Sequence, residues 1–296
     1  MLPTLVSKPF HRENWVYEEK YDGYRILAYK EGSKVSLRSR NDNDRTKNYG
    51  EIAAAVGKLR ARTLLLDGEV VAFDSHQVSR FQLLQRAGTS ASYVVFDLLY
   101  KDGRDLRSKA LVERRKELEA AVREGRGLRL SRRLAEDGLK AYQLAKNKGF
   151  EGLVAKDLSA PYVEGRTTRW LKVKVHQEDE FVIVGYTAPA GARQHFGALL
   201  LGAYKAKKLS YVGKVGTGFT RERLAKLARM FRPLIRKTPA VGNPPGETKI
   251  TYLQPRLVAQ IAYEEWTADG KLRQPVFLGL RDDKKAEDVE LPPKGN

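Results

Sequence analysis

Glu18-Glu19-Lys20-Tyr21-Asp22-Gly23-Tyr24-Arg25 is the stretch on which the reading of this chain turns. Apolar and polar residues alternate on both sides of it, and Asp22-Gly23 is a turn signal, so the pattern predicts strands over 15–17 and 25–29 hinged at 22–23. Lys20, Asp22, Gly23 and Arg25 form KxDGxR. A lone lysine beside a turn is ordinarily a solvated surface residue. Four fixed residues in six are less easily dismissed, since about one chain in a hundred of this composition would hold them by accident.

Outward from the motif, the alternation predicts a strand over 35–38, helical spacing over 44–58 ending near Gly57, and a short strand over 64–66 stopped by Asp67-Gly68 and resumed over 70–73. Residues 93–99 are apolar on both faces, as a central strand would be. Amphipathic helices are expected over 111–122 and 138–147, and strands over 153–155 and 170–175. Beyond Val175 the pattern changes. Gln177-Glu178-Asp179-Glu180 reads as a polar link, followed by strands over 181–186, 198–204, 209–215 and 256–263. One helix interrupts them, with Leu224, Leu227, Ala228, Phe231, Leu234 and Ile235 on one face and Thr220 placed to cap it. Short strands with one helix suit a small Greek-key barrel of the OB type. The expectation is an α+β chain of two domains, 1–176 and 177–296.

Composition narrows the function. The 296 residues are 42% hydrophobic and 31% charged, enough for real cores. No apolar run is long enough to cross a bilayer, and the first ten residues lack a charged leader followed by an apolar segment, so a soluble cytoplasmic protein is expected. The absence of cysteine removes disulfides and thiolate-bound zinc. A net charge of +19 points to a polyanion, because each neutralised phosphate releases counterions. The four histidines show no metal-ligand spacing.

KxDGxR is followed in order by Ser39-Arg40-Asn41, Asp67-Gly68-Glu69, Phe96-Asp97, Glu151-Gly152-Leu153-Val154-Ala155-Lys156 and Trp170-Leu171-Lys172-Val173-Lys174, and near the end by Arg281-Asp282-Asp283-Lys284. In this order the chain resembles the covalent nucleotidyltransferase superfamily of ATP-dependent DNA ligases, RNA ligases and mRNA capping enzymes. With Gly165-Arg166-Thr167-Thr168-Arg169-Trp170, residues 196–202 and residues 273–284, it is most similar to the ligase domain of bacterial DNA ligase D. The resemblance spans essentially the whole chain. It implies a nucleotidyltransferase (adenylation) domain followed by an OB-fold β-barrel domain, a lysyl-AMP intermediate on Lys20, and sealing of 5′-phosphate/3′-hydroxyl nicks.

The residue types suit that chemistry. An attacking amine must be neutral, yet a free lysine near pH 7.4 is deprotonated in roughly one molecule per thousand. Burial or a nearby cation would lower its pKa. Magnesium, or manganese in its place, would do so and offset charge on the phosphates. Glu69 and Glu151 are the first candidates for its ligands, with Asp67 and Asp22 behind them. The resemblance implies that the backbone at Glu18 reads the adenine edge, that Phe96 stacks on the ring, and that Arg25 and Arg40 hold ribose or the 5′-phosphate of the nick. Lys172 and Lys174 share one strand face, where the phosphates of ATP would relieve their repulsion. Arg281 and Lys284 would hold the departing pyrophosphate, with Asp283 orienting one of them, provided the two domains close.

Alternatives to a DNA ligase are an RNA ligase, a capping-type enzyme and a non-enzymatic OB-type DNA-binding module; the last leaves Lys20, Glu69, Glu151 and Lys172 without a purpose. NAD is disfavoured as the AMP donor, since only nineteen residues precede Lys20. The partner expected is nicked duplex DNA in repair or end joining, met by a monomer in the nucleoid. Ku-type factors, or separate polymerase and phosphoesterase domains, are the protein partners the resemblance raises.

Overall fold

The structure, a computed structural model, describes residues 1–86, 88–175, 177–189, 191, 194–247, 249–267 and 269–291. The chain divides into two compact units, Met1–Val175 and His176–Asn296. The four-histidine reading included His176, which lies outside the described residues. Among the described residues no helix is long and apolar enough to cross a membrane.

The first unit holds two sheets. One runs Leu2–Leu5, Arg166–Lys174, Gly152–Asp157, Trp15–Lys20, Arg133–Ala135, antiparallel except for the first pair. The other runs Lys34–Ser39, Tyr24–Glu31, Thr63–Val71, Ser92–Lys101, Arg104–Asp105, with Leu128–Leu130 parallel to Ser92–Lys101. Helix Gly138–Lys148 packs on the first sheet, with Ala141 and Ala145 joining Leu153 and Val173 in the core. Gly50–Gly57 and Leu111–Ala121 cover the second, burying Ile52, Val56 and Leu118 against Ile26, Leu66 and Val95.

The two strands around the lysine motif do not form the hairpin that their alternation suggests. Trp15–Lys20 belongs to one sheet and Tyr24–Glu31 to the other, so Tyr21-Asp22-Gly23 is the crossing between them. Gly23 is required there by close approach: a Cβ would lie 2.2 Å from the Val70 carbonyl oxygen. Backbone cannot move aside as a flexible side chain can. Gly23→Ala should therefore cost about 3 kcal/mol in urea unfolding, and a loss below about 0.5 kcal/mol would mean that the crossing is loose. Asp67-Gly68 likewise does not stop its strand. Thr63–Val71 is continuous, and register shifts at Leu65/Leu66 and Asp67/Gly68 absorb the irregularity as bulges. The helix expected over 44–58 is only a 3₁₀ turn, Lys47–Tyr49, and then Gly50–Gly57.

In the second unit the long strand Glu178–Thr187 changes partners along its length. Its first half pairs with Val258–Ala262, its second half with Ile250–Leu253, and its other edge with Leu199–Lys205. Lys208–Val215, Ile235–Arg236 and Val276–Leu280 complete seven strands. Among the described residues the ends of the sheet meet through a parallel bridge, Thr217 to Val276, and not through a full closing ladder. Helix Arg221–Phe231 buries Leu224, Leu227 and Phe231, and the Thr220 hydroxyl accepts the Arg223 N–H as its cap. Ile235 is not on that face. Pro233 ends the helix in a 3₁₀ turn, and Ile235 emerges 50% exposed at the start of a strand. The polar link expected at 177–180 is instead the beginning of the long strand: Glu178 accepts from Gln260 and Asp179 from Tyr263, so these acids are satisfied in place.

Candidate active site

Lys20 ends its strand directly opposite Gly152. A Cβ on Gly152 would lie 2.1 Å from the Val173 carbonyl oxygen, so glycine lets three strands close up just after Glu151. That places the Glu151 carboxylate against the Lys20 ammonium, and the two form an ion pair. The lysine side chain is 19% exposed. Burial pulls its pKa down, but Glu151, with Asp22 and Glu69 behind it, outweighs burial and holds the amine above its ordinary value. The expected depression is thus reversed, because carboxylates surround the amine. The second Glu151 oxygen is buried and has no hydrogen-bond partner among the described residues.

Arg25 lies opposite Glu69 in the neighbouring ladder. Its guanidinium grips Asp67 with two bonds, Nε to Oδ1 at 3.0 Å and Nη2 to Oδ2 at 2.6 Å, and the Tyr162 hydroxyl donates to the same Oδ2 at 2.8 Å. Asp67 is fully buried, and both of its oxygens are engaged. It orients Arg25. Asp22 is also built into the fold: its carboxylate accepts the Phe81 N–H at 2.9 Å, while its own N–H donates to Ser79, tying the crossing to residues 79–81. Among the described residues no three acidic or histidine side chains converge as a metal cluster.

Phe96 is half-buried, edge-on to Trp170, with the Arg25 guanidinium carbon 5.4 Å from its ring centre. Lys172 and Lys174 face Val154 and Gly152 across the ladder and share one partly exposed side of the strand. Arg40 is exposed just past the end of Lys34–Ser39. In the second unit Asp283 holds Arg281 by two 2.8 Å bonds, Gln260 accepts from Arg281 at 3.0 Å, and Lys284 sits 3.2 Å from Glu180.

Several buried groups escaped the sequence reading. The Glu18 carboxylate is sealed among Arg115, Lys156 at 2.8 Å and the Ser131 hydroxyl at 2.6 Å, so only its backbone is left to meet a base. Asp97 pairs with Arg114 through two 2.8 Å bonds, both side chains wholly buried. A signal existed: Leu111, Arg114, Arg115 and Leu118 fall at helical spacing on one face, which puts two arginines at core positions.

Glu19 is 2% exposed, with an Arg132 nitrogen 3.4 Å away and Tyr21 beside it. Burial raises its pKa from 4.5 to about 7, with Arg132 and Tyr21 pulling back only in part. The unfolded chain ionises this group first, so between pH 4.5 and 7 the folded state binds the extra proton and loses stability as pH rises. Glu19→Gln should flatten that slope, and its advantage over the parent should grow by up to about 3 kcal/mol from pH 5 to pH 8. An advantage that does not change with pH would mean that Glu19 is already ionised in the fold.

Against this geometry, the family model for the ATP-dependent DNA ligase domain matches residues 4–174, and that for the ATP-dependent DNA ligase C-terminal region matches residues 192–284. The chain belongs to the ATP-dependent DNA ligase family. Its OB-fold unit and its α+β class follow the family pattern, and a capping enzyme is set aside. Among curated relatives of this ligase chain, the multifunctional non-homologous end joining protein LigD of Pseudomonas aeruginosa is 42% identical over 97% of the chain and 36% of its own length. The DNA ligase of Thermococcus fumicolans is 35% identical over 93% of the chain and 53% of its own length. The chain therefore spans little more than a third of the LigD relative. Of solved structures, a mycobacterial DNA ligase D complexed with ATP and MES is 34% identical, with a TM-score of 0.70 and 97% of both chains covered. The ligase domain of Mycobacterium tuberculosis LigD is 35% identical, with a TM-score of 0.53 and 98% of both covered.

Proposed function

We propose that this chain seals nicks in duplex DNA in three steps, with Lys20 as the residue that carries AMP. The observation behind the assignment is the Lys20–Glu151 pair, whose second carboxylate oxygen is buried with no partner among the described residues. In the first step the neutral Lys20 amine attacks the α-phosphorus of ATP, a P–N bond forms, and the bond to pyrophosphate breaks. A 5′-phosphate oxygen of the nick then displaces Lys20 and takes the AMP. Finally the 3′-hydroxyl attacks that 5′-phosphorus, and AMP leaves as the strand closes.

The residues fit a hard divalent cation. Glu151 offers a buried oxygen without a donor, Glu69 lies close enough to act on Lys20, and magnesium needs only one or two carboxylates because it keeps several waters. When bound, magnesium or manganese supplies positive charge opposite the phosphates. A Glu151 carboxylate turned to that charge would loosen its hold on the Lys20 proton. Phe96 would stack on adenine, Lys172 and Lys174 would meet the phosphates, and Arg25, oriented by Asp67, would present its remaining N–H groups to ribose or to the nick, with Arg40 alongside. Arg281 and Lys284 would hold the pyrophosphate.

Nicked DNA in repair or end joining is the substrate proposed, and Ku-type factors are the partners to test, on the strength of the end-joining names among the relatives. Incubation with α-labelled ATP and magnesium, followed by a nick with either a DNA or an RNA 3′ strand, tests the function. Covalent label and sealing of the DNA nick are expected. Label without DNA sealing would shift the reading to an RNA ligase, and no label would remove it.

A further inference from the structure

We propose that Arg132 is a positioning residue for the first step, holding Lys20 against Glu151 from behind the sheet. The inference rests on the reading of Lys20 as the residue that carries AMP, and adds what keeps it in place. Arg132 directly precedes Arg133–Ala135, the edge strand beside Trp15–Lys20. Its carbonyl accepts the Glu19 N–H at 3.1 Å, and its own N–H donates to the Tyr21 hydroxyl at 3.0 Å. Its guanidinium lies 3.4 Å from the Glu19 carboxylate and 5.4 Å from the ring centre of the buried Phe150. Glu19 and Tyr21 flank Lys20, and Phe150 precedes Glu151. One residue therefore touches both neighbours of the nucleophile and the neighbour of its carboxylate partner.

Such a hold is needed because Lys20 is the last residue of its strand, after which the chain crosses to the other sheet. At the front the lysine is held by its pair with Glu151, and that pair must open for the amine to reach phosphorus. The restraint that remains is at the back. Side chains alternate along a strand, so Glu19 faces away from Lys20, toward the side where Tyr17 and the Glu19 ladder partner Leu153 enter the core under helix Gly138–Lys148. Phe150 is tied to that helix, its N–H donating to the Ala145 carbonyl at 3.0 Å. A glutamate is a costly residue in this place. Burial resists its charge, and an apolar side chain could fill the same space without that cost. What the charge adds is a grip with direction. Arg132 is drawn to the Glu19 carboxylate and to the face of Phe150, so the two segments that carry Lys20 and Glu151 are fixed to one guanidinium. A displacement of about 1 Å at a reacting group can cost roughly 100-fold in rate, so a slight loosening of this strand end matters.

The test compares the parent, Arg132→Met, Arg132→Lys and Glu19→Gln in self-adenylation over a range of ATP concentrations, in sealing of a nick that already carries AMP, and in urea unfolding. Arg132→Met keeps an apolar stem over Phe150 and loses the charge. It should lower the saturated rate of self-adenylation about tenfold, with KM for ATP and sealing of the adenylated nick within about twofold of the parent. Arg132→Lys keeps a cation for Glu19 and Phe150, and should recover to within about threefold. Glu19→Gln should slow self-adenylation about fivefold while gaining stability, a combination that a merely structural role would not give. Adding Arg132→Met to Glu19→Gln should cost no more than about a further twofold, because the two residues act as one. If Arg132→Met fails to fold, the double variant replaces it, since no buried carboxylate is then left without its cation, and the same loss of about tenfold is expected. Equal losses in self-adenylation and sealing would make Arg132 merely structural, and a loss confined to sealing would make it a DNA contact. Either result, or self-adenylation at the parent rate, overturns the inference. A parent chain that takes up no AMP would instead overturn the proposed function, and this inference with it.

Discussion

Lys20→Ala should abolish AMP uptake from ATP, and Lys20→Arg should do the same. Both results follow from the amine being a nucleophile and not only a charge. Alanine has no nitrogen, and a guanidinium stays protonated at any pH the fold survives. The parent chain adds a pH signature. Burial lowers the Lys20 pKa, but Glu151, Asp22 and Glu69 together hold it above the ordinary value, so the neutral amine is scarce and label formation should rise with pH. Glu151→Gln removes the largest of the raising influences and should move that rise to lower pH, even if the maximum rate falls. Sealing of a nick already carrying AMP makes no bond to Lys20, so Lys20→Ala should retain most of it. Label on Lys20→Arg would reduce the lysine to an electrostatic role.

The second large effect concerns Arg281 and Lys284. Pyrophosphate leaves with growing negative charge, and cations already aimed at it stabilise that charge without reorganising. Arg281 donates two bonds to Asp283 and one to Gln260, which fix its fork. Alanine at Arg281 should slow self-adenylation about 100-fold, the usual scale for one preorganised donor. Lys284→Ala should act in the same direction. Once AMP is on the chain, pyrophosphate has gone, so sealing of a pre-adenylated nick should be largely spared. Asp283→Asn should show a milder form of the same split, because it loosens Arg281 without removing it. Equal losses in both assays would assign the cluster to folding or DNA binding.

The family and its two-unit fold were legible in the sequence because the motif residues keep their order. The ion pair of Lys20 with Glu151, 131 positions apart by their numbers, was not among the expectations, which gave Glu151 to a metal. What failed was information that alternation does not carry. A strand pattern says which residues share a face but not which strand lies alongside, so the segments before and after Asp22-Gly23 were expected to pair and instead entered different sheets. Asp67 was read from its type as a metal ligand, whereas its partners Arg25 and Tyr162 come from 42 and 95 residues away. The sign of the Lys20 shift was missed for a related reason. Burial could be inferred locally, but of the carboxylates that outweigh it Glu151 and Glu69 arrive from separate segments, and only Asp22 belongs to the motif.

Peptide mapping of the parent chain after incubation with ATP and magnesium tests the central claim most directly. One AMP on the peptide containing Lys20, joined through the side-chain nitrogen and lost on addition of pyrophosphate, is the result predicted. AMP on any other residue, or none under conditions where nicked DNA is nonetheless sealed, would contradict it.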